Sequence, residues 1–95
     1  MILRIVKMTF SDDGIRQFTD LFEARKQTIG GFKGCTHLEL WQDTKCENIF
    51  FTYSCWESEA DLNHYRFSDF FKDTWGKTKA LFADKPEAWS VVKRG

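Results

Sequence analysis

The sequence has no excess of charge of either sign. Its 14 Lys and Arg side chains are balanced by 14 Asp and Glu side chains. Proteins that hold nucleic acid or anionic lipid by electrostatic attraction present a basic surface, because the phosphates of both partners are negative. The balanced charge argues against that mode of binding and predicts that neither nucleic acid nor a membrane surface is a partner.

Long apolar runs are also missing. No segment approaches the roughly 18 apolar residues that a membrane-spanning helix needs. The opening residues, "MILRIVKMTF", lack the basic start, the long apolar centre and the small-residue cleavage site of a secretory signal. We therefore expect a cytoplasmic protein.

Cysteine is scarce and follows no motif. Cys35, Cys46 and Cys55 are odd in number, and none lies in a C-x-x-C or a paired Cys/His spacing. A disulfide framework and a zinc site are therefore not indicated. We interpret the three residues as reduced thiols that fill apolar space in or near strands.

Aromatic residues, in contrast, are abundant. Ten Phe, four Trp and two Tyr make up 17% of the 95 residues. A chain of this length forms one domain, residues 1–95, and a domain so small leaves much of its area at the surface. Part of this bulky apolar surface is expected to be buried against a partner.

The first third of the chain predicts a strand followed by a helix. Apolar residues occupy both alternating faces from Ile2 to Phe10, so a strand there needs cover on both sides. The segment "SDDG" then supplies cap and turn residues, and a helix runs to the stop at Gly30 and Gly31. Its residues at helical spacing are Ile15, Phe18, Leu21, Phe22, Arg25 and Ile29.

The middle of the chain predicts a β-hairpin. Residues 35–42, "CTHLELWQ", alternate with the period of two that is typical of a strand. The polar connection "DTKCEN" separates them from residues 49–56, "IFFTYSCW", which are rich in β-branched and aromatic residues. The two strands are expected to pair with each other.

The last part predicts a helical region, interrupted once, and a final strand. Ser58 followed by Asp61 resembles a capping box, and Ser68 restarts the helix. Pro86, the only proline, ends the helical region, and "EAWSVVKR" forms the last strand. Beyond Ser68, residues spaced three or four apart form one helical face: Phe71, Trp75, Thr78 and Phe82.

The order of elements is strand, helix, strand, strand, helix, strand. This order predicts an α+β fold of the ferredoxin-like βαββαβ type, a four-stranded antiparallel sheet with helices on one face. The other sheet face is left bare, although the strands carry large apolar residues on both faces. Its expected cover is a second copy of the chain, so we predict a homodimer through the open sheet face.

The motifs of several functions that this fold hosts are missing. An RNA-recognition domain would have a basic residue and a glycine ahead of its stacking aromatics, and "ENIFFTYSCW" has neither. A metal-chaperone domain would need C-x-x-C after the first strand, where the sequence is "MTFSDDG". Neither a Gly-rich phosphate loop nor a G-x-S-x-G motif is present.

One segment resembles a known family. The residues from Trp56 to Phe71, "WESEADLNHYRFSDFF", resemble the strand-to-helix segment of the antibiotic biosynthesis monooxygenase family, in which a Trp closes the third strand and a Ser or Thr restarts the helix. The resemblance implies a dimeric α+β barrel with a small-molecule pocket between sheet and helices in each subunit. Family members include oxygenases of polyphenols or quinols that need no cofactor, haem-degrading enzymes and proteins of unknown activity.

Three positions argue against the haem-degrading branch of that family. The branch has an Asn on the first strand, a Trp on the second helix and a His further on, where this chain has Lys7, Tyr65 and Trp75. Without a His at the last position there is no evident axial ligand for iron, so haem cleavage is not expected. In the oxygenase branch a His often matches the position of Tyr65, and here His64 is the adjacent residue, about 100° away around the helix.

The resemblance and the helical spacing together indicate candidate site residues. His64 is the candidate catalytic base for a phenol, since imidazole exchanges protons near neutral pH, and the competing interpretation is a surface histidine. Tyr65, Phe71 and Trp75 are expected to face inward, as substrate-binding residues or as core alone. Lys7 is a further candidate for substrate binding, unless its ammonium group simply reaches water.

Other charged residues receive a weaker interpretation. Arg4, like Lys7, is ionisable in an apolar strand, which costs free energy unless it reaches water, a carboxylate or an anionic ligand. The helical spacing leaves four residues largely for solvent: Arg66, Asp69, Lys72 and Asp73.

The leading hypothesis is a monooxygenase of a small aromatic compound, of the polyphenol or quinol type, that uses neither metal nor flavin. The alternative is a small-molecule-binding dimer without chemistry.

Overall fold

The computed structural model describes residues 1–95 and contains four strands and three helices. In chain order the elements are β1 Ile2–Thr9, α1 Gly14–Gly30, β2 Cys35–Gln42, β3 Ile49–Trp56, α2 Glu59–Arg66, α3 Asp69–Lys79 and β4 Glu87–Val91. This is the predicted α+β, ferredoxin-like order, with the second helical region divided into two helices. None of the helices combines the length and the apolar character that crossing a membrane requires.

The four strands form one antiparallel sheet in the order β2-β3-β1-β4. The predicted hairpin is present, since β2 pairs with β3. β1 lies in the interior of the sheet, where Val6 pairs with Thr52 on one side and with Ala88 on the other. Side chains of β1 are therefore held in register with those of two neighbouring strands.

The last strand is shorter than the sequence predicted. Regular strand structure ends at Val91, whereas the prediction extended to residue 94. Val91 pairs with Leu3, and β1 begins at Ile2. The residues after Val91 therefore have almost no β1 backbone left to pair with.

α1 forms where apolar residues recur at helical spacing, and it ends at the predicted glycines. Its buried side chains include Phe18 and Ile29, and the helix lies closest to β2. The backbone N–H of Gly31 donates to the carbonyl oxygens of Gln27 and Thr28 at 3.0 and 3.2 Å. These bonds close the last turn, where carbonyl groups would otherwise lack partners.

Two serine caps divide the second helical region, as predicted. At the start of α2, Ser58 Oγ accepts a hydrogen bond from the Asp61 N–H at 3.1 Å. At the start of α3, Ser68 Oγ accepts one from the Phe71 N–H at 3.1 Å and donates to the Tyr65 carbonyl oxygen at 2.6 Å. Ser68 therefore ends one helix and begins the next, so each helix can take its own direction over the sheet.

A cluster of aromatic rings fills the core where β1 ends and β3 begins. Phe10 is fully buried and stacks on Phe18 with ring centroids 4.3 Å apart. Phe50 contacts these two rings edge-on at 5.8 and 5.5 Å, and Met8 completes the cluster. Contacts of this geometry stabilise a core beyond the area that they bury. Part of the high aromatic content is therefore ordinary core.

The sheet face away from the helices is uncovered in the single chain, as predicted. Because Val6 and Met8 face the helices, Leu3, Ile5 and Lys7 point to the opposite side. We call this surface the open face; its other large side chains are Trp41, Phe51, Tyr53, Trp89 and Val91. The two tryptophans of the open face are 41% and 44% exposed.

Candidate functional site

A cavity of about 230 Å³ lies between the sheet and the helices. Every strand and every helix contributes to its lining, and 11 of its 17 lining residues are apolar. They are Arg4, Val6, Met8, Phe18, Phe22, Ile29, Leu38, Thr52, Ser54, Leu62, Tyr65, Arg66, Phe71, Thr74, Trp75, Thr78 and Ala88. None of them is Asp, Glu, His, Lys or Cys.

The sheet forms a floor whose polarity changes along the strands. Alternate residues of neighbouring strands share one sheet face, so paired residues form rows under the cavity. From one end to the other, the rows are Arg4 with Ser54 and Ser90, Val6 with Thr52 and Ala88, and Met8 with Phe50. The floor is therefore polar and positively charged at one end and apolar at the other.

α2 and α3 supply a wall of aromatic rings. Tyr65 contacts Phe71 edge-on with ring centroids 5.0 Å apart, and Phe71 stacks on Trp75 at 5.9 Å. The structure thus brings these three predicted residues together in the lining of one cavity. We call the three rings the aromatic wall. Their role in binding stays a prediction.

Tyr65 has a packed ring and a free hydroxyl group. The ring stacks on Trp56 with centroids 5.1 Å apart, and Trp56 is itself fully buried, with its Nε1–H donating to Ser54 Oγ at 3.0 Å. Burial, and to a lesser degree the nearby Cys35 thiol, raise the pKa of the Tyr65 phenol well above its ordinary value. The hydroxyl group takes part in no side-chain hydrogen bond of the chain, and since no fully buried polar side-chain atom lacks a partner, it is accessible from the cavity or from solvent. Tyr65 therefore offers the cavity a neutral hydrogen-bond donor.

Two arginines, Arg4 and Arg66, also line the cavity. Arg4 Nη1 donates to Ser90 Oγ at 2.9 Å, and burial, followed by the positive charge of Arg66, lowers the pKa of Arg4. The prediction that Arg66 faces solvent was wrong: as the last residue of α2 it is half-buried and belongs to the cavity lining. In the sequence, Arg4 could be recognised as a candidate for ligand binding because it is a charged residue in an apolar strand. No sequence pattern indicated that Arg66 lies in the cavity lining, because its surroundings depend on where α2 ends above the sheet.

His64 and Lys7, the other two predicted site residues, do not line the cavity. His64 is exposed on α2, where its ring centroid lies 6.4 Å from that of Phe32. Adjacent residues of a helix point in directions about 100° apart. Because Tyr65 points into the cavity, His64 points away from it. Lys7 follows Val6 on β1 and therefore points to the open face. The roles predicted for His64 and Lys7 stay predictions, but this cavity holds neither side chain.

The chemical groups of the cavity are aromatic rings, hydroxyl groups and two guanidinium groups. No group of three or more His, Cys, Asp or Glu side chains is placed to hold a metal ion. The three cysteines are free thiols, and only Cys55 is buried. The lining can therefore stack against a flat ring, donate hydrogen bonds and attract negative charge.

The fold and the cavity define a class of protein, a ferredoxin-like α+β domain with a small, mainly apolar cavity between its sheet and its helices. The family model for antibiotic biosynthesis monooxygenase matches residues 1–76. The chain belongs to this family, as the resemblance from Trp56 to Phe71 predicted. No sequence among curated proteins matches the chain.

Solved structures show the same fold at low sequence identity. A structure described as an antibiotic biosynthesis monooxygenase superposes with a TM-score of 0.92 at 15% identity, over 100% of both chains. A conserved protein from Methanosarcina mazei Go1 superposes with a TM-score of 0.91 at 19% identity, over 99% of this chain and 94% of its own. At these identities the likeness establishes the fold alone.

Proposed function

We propose that the protein is a monooxygenase that acts on a small aromatic compound, of the polyphenol or quinol type, without metal or flavin. The observation that carries this proposal is the aromatic wall of Tyr65, Phe71 and Trp75 on one side of a cavity of about 230 Å³. An apolar cavity of about 150 Å³ is enough to hold benzene, so this one suits a substrate of one or two rings. Membership of the family supports the reaction class.

The proposed reaction needs only the substrate and dioxygen. A phenol that has lost its proton is electron-rich enough to reduce dioxygen. One oxygen atom then stays on the ring as a carbonyl oxygen. The other leaves as water with the two hydrogens that the substrate loses, one from the hydroxyl group and one from the ring carbon. The protein would orient the ring, exclude water and stabilise the developing phenolate.

Tyr65 is the residue proposed to act on the substrate oxygen. Burial keeps its phenol protonated, so its hydroxyl group can donate a hydrogen bond to that oxygen. The bond would strengthen as negative charge develops, which is the condition for an interaction to raise the rate. Phe71 and Trp75 would hold the ring by stacking. His64, the predicted base, could receive the proton only through solvent, because its ring is outside the cavity.

Oxygen uptake tests the proposal. Purified protein is mixed with a panel of quinols and polyphenols, and substrate loss and dioxygen consumption are followed together against samples without protein. We expect at least one compound to be consumed with equal amounts of dioxygen, and Tyr65→Phe, with its fold verified by circular dichroism, to turn over more slowly. A panel that is bound but never consumed contradicts the enzymatic proposal.

One observation favours the second candidate function, binding without chemistry. The cavity lining contains no Asp, Glu, His, Lys or Cys, so no side chain in it is an ordinary general base near neutral pH. A dimeric protein that binds a small aromatic molecule would need none. Recovery of the unchanged ligand after tight binding, measured by calorimetry and mass spectrometry, would establish this alternative.

We also propose that two copies of the chain associate through the open face. Ile5 pairs with Tyr53 and with Trp89, and Trp41 stacks on Tyr53 with ring centroids 4.9 Å apart. These side chains form an apolar strip across all four strands, and exposed strips of this kind mark interfaces. A second copy is the proposed cover because a two-fold contact buries the same strip in both subunits.

A cytoplasmic location is proposed from the state of the cysteines. Cys35, Cys46 and Cys55 are all unpaired, and thiols persist where glutathione and thioredoxin keep them reduced. Cell fractionation with thiol labelling checks this. Recovery of the protein from a secreted fraction, with its thiols oxidised, would contradict it.

A further inference from the structure

Arg4 and Arg66 place two positive charges in the lining of the cavity, and no carboxylate of the chain neutralises either. The Arg4 side chain donates only to the uncharged Ser90 hydroxyl group. No Asp or Glu lines the cavity. The ion pairs of the chain are formed elsewhere, by Arg16 with Asp20, Arg25 with Asp73, Lys26 with Glu23, His37 with Glu39 and Lys77 with Asp73.

Within the chain itself, this arrangement costs free energy. Arg4 and Arg66 are both half-buried, and partial burial of a charge is unfavourable without a partner of opposite sign. Each positive charge also disfavours the other, which is one reason why the pKa of Arg4 is lowered. A bound anion removes both costs, because a carboxylate accepts hydrogen bonds from guanidinium groups in a matching planar geometry.

The floor of the cavity shows where the anion would lie. Arg4 shares its row with Ser54 and Ser90, so hydroxyl groups and a guanidinium group meet at this end. The next row, which contains Val6, is mainly apolar and suits a flat ring, since Thr52 is its only polar residue. A ligand with a charged head and an aromatic body matches this change of polarity.

We propose that the ligand of this cavity is an aromatic carboxylate, with its carboxylate group between Arg4 and Arg66 and its ring against the aromatic wall. The inference rests on the proposed function and adds the charge of the substrate to it. A neutral quinol would fill the same space but leave both guanidinium groups unpaired. Arg4 and Arg66 are thus the residues that determine specificity.

Binding of 2,5-dihydroxybenzoate and of its methyl ester tests the proposal. Both compounds carry the same hydroxylated ring, but only the acid is negatively charged at neutral pH. Isothermal titration calorimetry is expected to show that the protein binds the acid at least about tenfold more tightly than the ester, the scale of one charge-assisted hydrogen bond. This comparison needs no variant and so does not depend on the folding of one.

Substitutions assign the preference to the two arginines. Arg4→Met and Arg66→Met keep an apolar stem and remove the charge, so each should lower the affinity for the acid about tenfold and leave that for the ester unchanged. Arg4→Lys keeps the positive charge but not the planar guanidinium group, so its affinity for the acid should lie between those of the unsubstituted protein and Arg4→Met. Arg16→Met is the matched control, because Arg16 is exposed on α1 and pairs with Asp20.

Each outcome decides the proposal. Equal affinity of the unsubstituted protein for acid and ester overturns it. An equal loss of both affinities in Arg4→Met and Arg66→Met also overturns it, because that result indicates a change of shape and not of charge. Consumption of neutral quinols without preference for the acid overturns it while the oxygenase function stands. If neither these two compounds nor any member of the quinol panel is bound or consumed, the proposed function fails as well.

Discussion

Tyr65 has the surroundings of a core residue together with a hydroxyl group that the chain leaves free. Its ring is packed between Trp56 and Phe71. Because no fully buried polar side-chain atom of the chain lacks a partner, this hydroxyl group is accessible and can form its hydrogen bond with water or with a ligand. At the residue scale this is the physical reason to place the substrate oxygen at Tyr65.

The raised pKa of Tyr65 predicts how this residue titrates. The chain has two tyrosines, so Tyr65 is the only one left in the variant Tyr53→Phe. In the folded variant, the ultraviolet absorbance of the ionised phenol should stay low at about pH 10, where an ordinary tyrosine is half ionised. Because burial makes the folded pKa higher than the unfolded one, stability should be lost as the pH rises above about 10.

Urea-unfolded protein is the control for this titration, since its tyrosine should ionise at the ordinary pH. Half ionisation at about pH 10 in the folded protein would show that the Tyr65 ring is not buried, and would remove the argument for a neutral donor.

Trp75 is expected to contribute to binding through stacking. Trp75→Ala should weaken the binding of an aromatic ligand by about 1–3 kcal/mol, the scale of a lost aromatic contact. Calorimetry with a compound from the quinol panel measures this change. Phe67→Ala is the matched control, because Phe67 follows α2 and is 70% exposed. Unchanged affinity in Trp75→Ala would mean that Trp75 is core and not ligand contact.

His64→Ala separates the two interpretations of the exposed histidine. We expect turnover and binding close to those of the unsubstituted protein, because the imidazole ring lies outside the cavity lining. Steady-state kinetics and calorimetry measure both quantities. A fall in kcat with unchanged binding would instead support the predicted role of His64 as base, since a base acts chiefly in the transition state.

At the scale of elements, the break between α2 and α3 shapes the aromatic wall. Tyr65 lies at the end of α2, and Phe71 and Trp75 lie on α3, yet all three rings line one cavity. Ser68 holds the junction, because its hydroxyl group donates to the Tyr65 carbonyl and accepts from the Phe71 N–H. Together with the backbone bond from the Ser68 N–H to the Tyr65 carbonyl oxygen, this cap fixes where α2 ends and α3 begins.

Ser68→Ala is expected to lower the free energy of unfolding by about 1 kcal/mol, the usual cost of a lost N-cap. Urea unfolding followed by circular dichroism measures this change. Ser68→Asp keeps an acceptor for the Phe71 N–H and should retain most of the stability. Equal stability of the alanine variant and the unsubstituted protein would show that the cap is not needed to begin α3.

At the scale of the whole molecule, the sheet separates two surfaces with different proposed tasks. One face carries the cavity under the helices, and the open face is left for a partner. β4 serves both, since Ala88 lies in the cavity lining while Trp89 lies on the open face. A contact on the open face would therefore also support one edge of the cavity.

The predicted homodimer can be tested by sedimentation. The unsubstituted protein should sediment at twice the 11.2 kDa of the chain, and Trp89→Glu should shift it to the monomer, because a carboxylate would be buried in an apolar contact. Phe67→Glu is the control, since Phe67 is exposed but not on the sheet. A folded monomer of the unsubstituted protein at micromolar concentration would rule out the dimer.

Local patterns determined most of the elements of this protein. The alternation of "CTHLELWQ" predicted β2 with its observed bounds, and the pair Gly30 and Gly31 predicted where α1 ends. The caps at Ser58 and Ser68 were readable as well. Alternation, caps and stops act between residues close in the chain, so a single sequence is enough to show them. Helical spacing likewise placed Tyr65, Phe71 and Trp75 on inward-facing positions.

Only the tertiary structure decided which of those positions form one cavity and which groups join them. β1 is apolar on both faces, so its sequence could not tell whether Val6 or Ile5 faces the helices, and the side of the sheet on which Lys7 lies followed only from the structure. Arg4 and Arg66 lie in distant parts of the chain and line one cavity only because α2 packs over the sheet. Their shared place in one lining depends on packing between elements, which the spacing of residues along the chain does not show.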